Sequence, residues 1–138
     1  MNTLEPTRVT ISIPTHDLAR AFEFYRKGLG LPLATDAPEG EMPEPAEFRL
    51  DANTHLMIVP VGGFKYVLGR RTAVASPDMS ECILSFALAT NADVDHWAER
   101  ACAAGATVES PAQQLPWGYA VTLRDPDGHL WMLTVPPR

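Results

Sequence analysis

The strongest constraint in this 138-residue sequence is an internal repeat. Thr10-Ile11-Ser12-Ile13 recurs 73 positions on as Ile83-Leu84-Ser85-Phe86, and Asp51-Ala52-Asn53-Thr54-His55-Leu56 recurs 74 positions on as Asp125-Pro126-Asp127-Gly128-His129-Leu130. Two matches at nearly one offset imply two copies of one supersecondary unit, although two copies are too few for a solenoid. Neither copy alone can bury a sheet, so the pattern predicts that the two pair around shared apolar surface.

The order of elements repeats with the residues. Arg8 to Pro14 alternates Val9, Ile11 and Ile13 with polar positions, which predicts a strand. Asp17 is placed to cap a helix whose apolar face is Leu18, Phe22, Tyr25 and Leu29, stopped by Gly28 and Gly30. A short strand over 31–36, a Pro-rich acidic loop over 37–45, and strands over 46–51 and 55–61 complete the first copy. Residues 62–80 read as a connector. The second copy begins with a strand over 81–89 and a helix capped at Thr90 or Asn91, with Val94, Trp97, Ala98 and Ala101 inward and Gly105 at its end. It continues with a short strand over 106–109, a loop over 110–116, and a hairpin in which Asp125-Pro126-Asp127-Gly128 turns between two alternating strands. The expected class is α+β: two βαβββ modules, about 7–61 and 80–136, in a single domain over 1–138, forming one curved mixed sheet with helices on its outer face.

Charge and composition narrow the function. The formal net charge of −6 opposes binding to nucleic acid or to anionic lipid. No run of about 18 apolar residues is present and the N-terminus has no basic-then-apolar leader, so no membrane association and a cytoplasmic location are expected. Cys82 and Cys102 lack a CxxC or zinc-like spacing and read as free thiols.

Ile13-Pro14-Thr15-His16-Asp17-Leu18 leading into Ala21-Phe22-Glu23-Phe24-Tyr25, together with Asp125-Pro126-Asp127-Gly128-His129-Leu130-Trp131, resembles the vicinal-oxygen-chelate superfamily of glyoxalases, bleomycin-resistance proteins, fosfomycin-resistance transferases and extradiol dioxygenases. The resemblance covers nearly the whole chain and implies the fold above. In metal-dependent members of that superfamily, His and Glu on the first strand of each module and on the strand after each turn hold a divalent cation. Carried over residue by residue, those places fall at Thr10, Ile58, Ile83 and Met132, which do not suit a hard cation. No metal and no cofactor are therefore expected.

Alternation assigns an inward, ligand-facing surface to Thr10, Ser12, Phe48, Leu50, Leu56, Ile58, Ile83, Ser85, Ala87, Ala120, Thr122, Leu130 and Met132, with Arg124 near one end. Such a mostly apolar bowl with a few hydroxyls suits a flat organic molecule bearing an anionic or carbonyl group for Arg124; a solvated strand-end charge is the alternative for that residue. Phe64, Tyr66 and Trp117 are placed to close over a ligand, or else to pack under loops or at a subunit interface. The binding candidates are thus Ser12, Phe48, Ile58, Phe64, Tyr66, Ser85, Trp117, Thr122, Arg124 and Met132. His16, His55 and His129 read as turn or cap hydrogen-bonding residues and His96 as solvated, and no catalytic residue is assigned.

The resemblance then implies a metal-free protein that binds a small organic molecule, as bleomycin-resistance members do, in a homodimer. A metal-dependent glyoxalase-like lyase or isomerase, or a dioxygenase, is the alternative. A module that uses the fold without any ligand is a third reading.

Overall fold

The computed structural model describes residues 3–35, 37, 40–43, 45–69 and 72–137 and divides into two compact units. Asp36, Pro38, Glu39, Glu44, Arg70 and Arg71, which fall in the short strand, the Pro-rich loop and the connector expected from sequence, lie outside the described residues.

The first unit runs β1 (Val9–Thr15), α1 (Leu18–Glu23), the start of a π-helical turn (Phe24–Gly28) whose Lys27 and Gly28 fall to the second unit, β2 (Ala46–Asp51), β3 (Thr54–Pro60) and α2 (Val61–Leu68). Its sheet has the order β1-β3-β2, with β1 parallel and β2 antiparallel to β3. Asp17 caps α1 as expected, its Oδ1 accepting from the Arg20 N–H at 3.0 Å. Leu31–Asp36 was expected to be a strand, yet its sole ladder contact among the described residues is a bridge from Leu33 to Phe48. The connector is also more ordered than expected: its first part forms α2, with Val61, Phe64 and Leu68 half-buried at i, i+3 and i+7, and Gly69 at φ +86 ends it.

The second unit runs β4 (Ile83–Ala87), α3 (Asn91–Ala103), β5 (Thr107–Leu115), β6 (Gly118–Arg124) and β7 (Leu130–Val135). The order β4-β7-β6-β5 reproduces that of the first unit, with the parallel β4–β7 pair matching β1–β3. Thr90 caps α3 through its hydroxyl, which accepts from the Asp93 N–H at 3.1 Å. The loop expected over 110–116 is instead largely strand, since β5 continues to Leu115 through two register shifts around Ser110 and Gln113. Pro111 lies within the second of those shifts, between Ser110 and Gln113, where its missing N–H breaks no ladder.

The helices α1 and α3 each pack on one face of their own sheet. In the first unit Phe22 and Tyr25 meet Phe48 at ring-centroid distances of 5.6 and 6.0 Å, over a floor of Ile13, Leu56 and Ile58. In the second, Val94 and Ala101 of α3 are buried on the side of the sheet that carries Val121, Leu123, Trp131 and Leu133, and Trp131 stacks on Phe86 at 5.1 Å. Each fully buried large apolar side chain contributes roughly 1.5–3 kcal/mol. Among the described residues no helix is long and apolar enough to cross a membrane.

Candidate functional site

Side chains paired across neighbouring strands point to the same face of a sheet, so the register assigns every residue to the helix side or to the far face turned away from it. In the first unit Thr10 pairs with His55 and Ser12 with Met57, while Arg49 pairs with His55 and Glu47 with Met57. The far face therefore carries Thr10, Ser12, Glu47, Arg49, His55 and Met57.

Glu47 and His55 are joined on that face. The Nδ1 of His55 lies 2.6 Å from Oε2 of Glu47, with the two side chains only 12% and 9% exposed. With Glu47 as a carboxylate, which accepts and cannot donate, Nδ1 is the donor of this bond, and the other ring nitrogen is Nε2. No described residue bonds that nitrogen. Arg49 stands directly across from His55, and its own N–H goes the other way, to the Pro32 carbonyl at 2.9 Å. Arg49 and His55 are thus a non-hydrogen-bonded antiparallel pair, the arrangement that brings side chains closest. Among the described residues the Arg49 guanidinium has no partner.

In the second unit Ser85, Met132 and Thr122 lie abreast on the far face, beside Ile83, Leu130 and Arg124 in the next row. Arg124 is held on several sides: Nε donates to Glu109 Oε2 at 2.8 Å, and Nη1 donates to the carbonyls of Gly128 at 2.9 Å and Pro77 at 3.2 Å. The bond from Arg124 holds the exposed Glu109 carboxyl below its ordinary pKa. Thr134, also on this face, is buried, and its hydroxyl has no partner among the described residues.

The register sorts the residues picked out from sequence. Ser12, Ser85, Thr122, Arg124 and Met132 lie on far faces, as alternation placed them. Phe48 and Ile58 do not: they are 0% and 2% exposed on the helix side, together with Leu56. Phe64 is half-buried on α2 and Tyr66 is exposed on the same helix, while Trp117 is exposed in the turn before β6.

The slip in the first unit has a physical origin. Aligning His55 with His129 sets the two copies at an offset of 74, but Arg49 faces His55 as Arg124 faces Leu130, which puts both of these strands at an offset of 75. His55 thus occupies the place of Leu130, and Met57 that of Met132. A shift of one residue turns every side chain to the opposite face. This is why Glu47, Arg49 and His55 were missed. The signal was present in β2, where Glu47 and Arg49 alternate with Ala46, Phe48 and Leu50. His55 is therefore no turn residue, unlike His129, whose backbone N–H donates to Asp125 Oδ1 at 2.8 Å within the turn. His96 is exposed, edge-on to Trp97 at 5.2 Å.

With the register corrected, the places that hold a metal in metal-dependent members carry Thr10, Met57, Ile83 and Met132. One hydroxyl, two thioethers and an aliphatic chain do not fit a hard divalent cation. Among the described residues no group of three or more His, Cys, Asp or Glu is placed to hold a metal ion.

Residues 7–133 match the family model described as Glyoxalase/Bleomycin resistance protein/Dioxygenase superfamily. No curated protein matches the chain. Among solved structures, a hypothetical protein, SA1046 from S. aureus, is similar at TM-score 0.78 and 18% identity, covering 96% of this chain and 95% of its own. A glyoxalase-related enzyme from Fulvimarina pelagi is similar at TM-score 0.75 and 21% identity over 99% and 90%. TnmS3, an antibiotic binding protein from Streptomyces sp. CB03234, is similar at TM-score 0.65 and 23% identity over 99% of both chains. At these identities the likeness is one of fold.

Proposed function

The chain belongs to the glyoxalase/bleomycin resistance protein/dioxygenase superfamily, and from that premise we propose that it is a metal-free binding protein that takes up a small organic molecule on the far faces of its sheets. The observation that carries this reading is the donor set. The places that hold a metal in the metal-dependent members offer Thr10, Met57, Ile83 and Met132, while the same faces present hydroxyls, thioethers and a few fixed charges suited to an organic ligand. The fold likeness to an antibiotic binding protein supports the same direction. Ser85, Thr122 and Met132, which share the far face of the second sheet, are the contacts we assign from the earlier candidates, and Ser12 holds the place of Ser85 on the first sheet. A homodimer, the common assembly of this superfamily, and a cytoplasmic location belong to the same reading, and the net charge of −6 argues against nucleic acid as the partner.

The test is a thermal-shift screen of the full, chelator-treated chain against a panel of small aromatic and polycyclic molecules. A ligand that binds only the folded state at about a hundred times its Kd adds about 2.7 kcal/mol of stability. The expected result is a saturable rise in Tm without added metal. A rise seen only once a divalent cation is supplied would overturn the reading in favour of a metal-dependent lyase or dioxygenase.

A further inference from the structure

After α2 the chain enters the second unit at Ala75 and makes one turn before β4 begins. The Met79 N–H donates to the Ser76 carbonyl at 2.9 Å and the Ser76 hydroxyl donates to Asp78 Oδ1 at 2.5 Å, so the turn is closed by its own bonds. Every residue from Ala75 to Ile83 is exposed, Met79 at 64%. Burial therefore contributes little to holding the turn in place. It is nevertheless closely seated: a Cβ added to Gly128 would meet the carbonyl oxygen of Pro77, so the turn rests on bare backbone of the last hairpin.

We propose that Ser76–Met79 is a strap latched at one point, the bond from Arg124 to the Pro77 carbonyl, and that loss of this latch releases the strap while the second sheet stays folded. The latch is built on the sheet side. Arg124 Nε donates to Glu109 Oε2 at 2.8 Å and Nη1 donates to the Gly128 carbonyl at 2.9 Å, so β5 and the hairpin turn hold the guanidinium whether or not the strap is seated. The bond from Nη1 to the Pro77 carbonyl, at 3.2 Å, is the longest of the three and the one that leads to the strap. Among the described residues no other hydrogen bond or ion pair ties Ser76–Met79 to the sheet. The strap in turn keeps its shape through Ser76 and Asp78. Two self-contained parts joined by one exposed, charge-assisted bond can separate without either losing its own structure. Seated, the strap fixes how the chain enters β4; released, it adds its length to the free chain between α2 and β4. It is a two-state element whose balance Arg124 sets.

The test uses the full chain and electron paramagnetic resonance. A nitroxide label at Met79→Cys, in a Cys82→Ser/Cys102→Ser background, reads the strap. A label on the exposed Cys102, in a Cys82→Ser background, reads α3 in the body of the same unit. An immobile spectrum is expected at position 79, with Arg124→Met raising its mobile fraction about tenfold and leaving the label at 102 unchanged. Glu109→Gln keeps an acceptor for Nε and is expected to leave the strap seated. Should Arg124→Met fail to fold, Arg124→Lys replaces it, because an ammonium keeps the charge but lacks the fork that bridges three acceptors. A label at 79 that is mobile before any substitution, or as immobile in the Arg124 variant as in its parent, overturns the proposal. Equal loosening at 79 and 102 also overturns it, since Arg124 would then support the whole unit. Release by Glu109→Gln to the same extent as by Arg124→Met overturns it as well, because the latch would then not stand on the Pro77 bond.

Discussion

Nδ1 of His55 sits 2.6 Å from Oε2 of Glu47 on the face of the first sheet turned away from α1. Because both side chains are about nine-tenths buried, removing one partner strands the other. We expect His55→Leu alone to lower the unfolding free energy by about 2–3 kcal/mol, less than for a fully enclosed pair, and Glu47→Thr/His55→Leu to recover most of that loss. Urea unfolding of the single and double variants measures the coupling. A double variant as unstable as the sum of its single changes would mean that the two groups do not depend on each other.

Phe48 is a core residue and not a ligand wall. It is fully buried against Phe22 and Tyr25, so Phe48→Ala should cost roughly 3–5 kcal/mol. Denaturant midpoints check this directly. A loss below about 1 kcal/mol would place the side chain outside the core.

Gly128 holds the second hairpin turn at φ +94, and a Cβ there would collide with the carbonyl oxygen of Pro77. Both the backbone conformation and the space exclude a side chain. Gly128→Ala is expected to cost about 2 kcal/mol or more, read as a fall in Tm. Gly40 has a similar positive φ but nothing near its Cβ position, so Gly40→Ala should cost less.

The bond to Arg124 gives Glu109 a depressed carboxyl pKa, with the attraction of the same guanidinium as a further cause. A carboxyl whose folded pKa is lowered contributes stability above its unfolded value of 4.5, and loses it as pH falls through the folded value. The Glu109 carboxyl signal in an NMR titration should therefore move at lower pH than an ordinary glutamate, and Arg124→Gln should bring it back toward 4.5. A midpoint unaffected by the substitution would contradict the pairing.

The legibility of the sequence follows from its turns. Asp125-Pro126-Asp127-Gly128 is a strong turn signal, so alternation placed Ser85, Thr122, Arg124 and Met132 on one face correctly. Around Asp51 the ladder shifts register between Arg49 and Asp51. The repeat reads there as Asp51 over Asp125 and His55 over His129, an offset of 74, one short of the 75 at which Arg49 and His55 match Arg124 and Leu130. A one-residue slip turns Phe48 and Ile58 to the wrong face and hides the Glu47–His55 pair. The helix caps at Asp17 and Thr90 were readable because each rests on a local side-chain bond. The helix α2 was not, because Gly62 and Gly63 lower its intrinsic propensity and its formation depends on burying Val61, Phe64 and Leu68.

The account turns most directly on metal binding. Calorimetric titration of the chelator-treated full chain with nickel, zinc, manganese and iron(II), beside elemental analysis of the protein as isolated, reads the donor set itself. The account predicts no stoichiometric metal in the isolated protein and no saturable binding of any of the four ions, because Thr10, Met57, Ile83 and Met132 offer no suitable ligands. A tightly held, stoichiometric ion would contradict it and would move the protein to the metal-dependent branch of its superfamily.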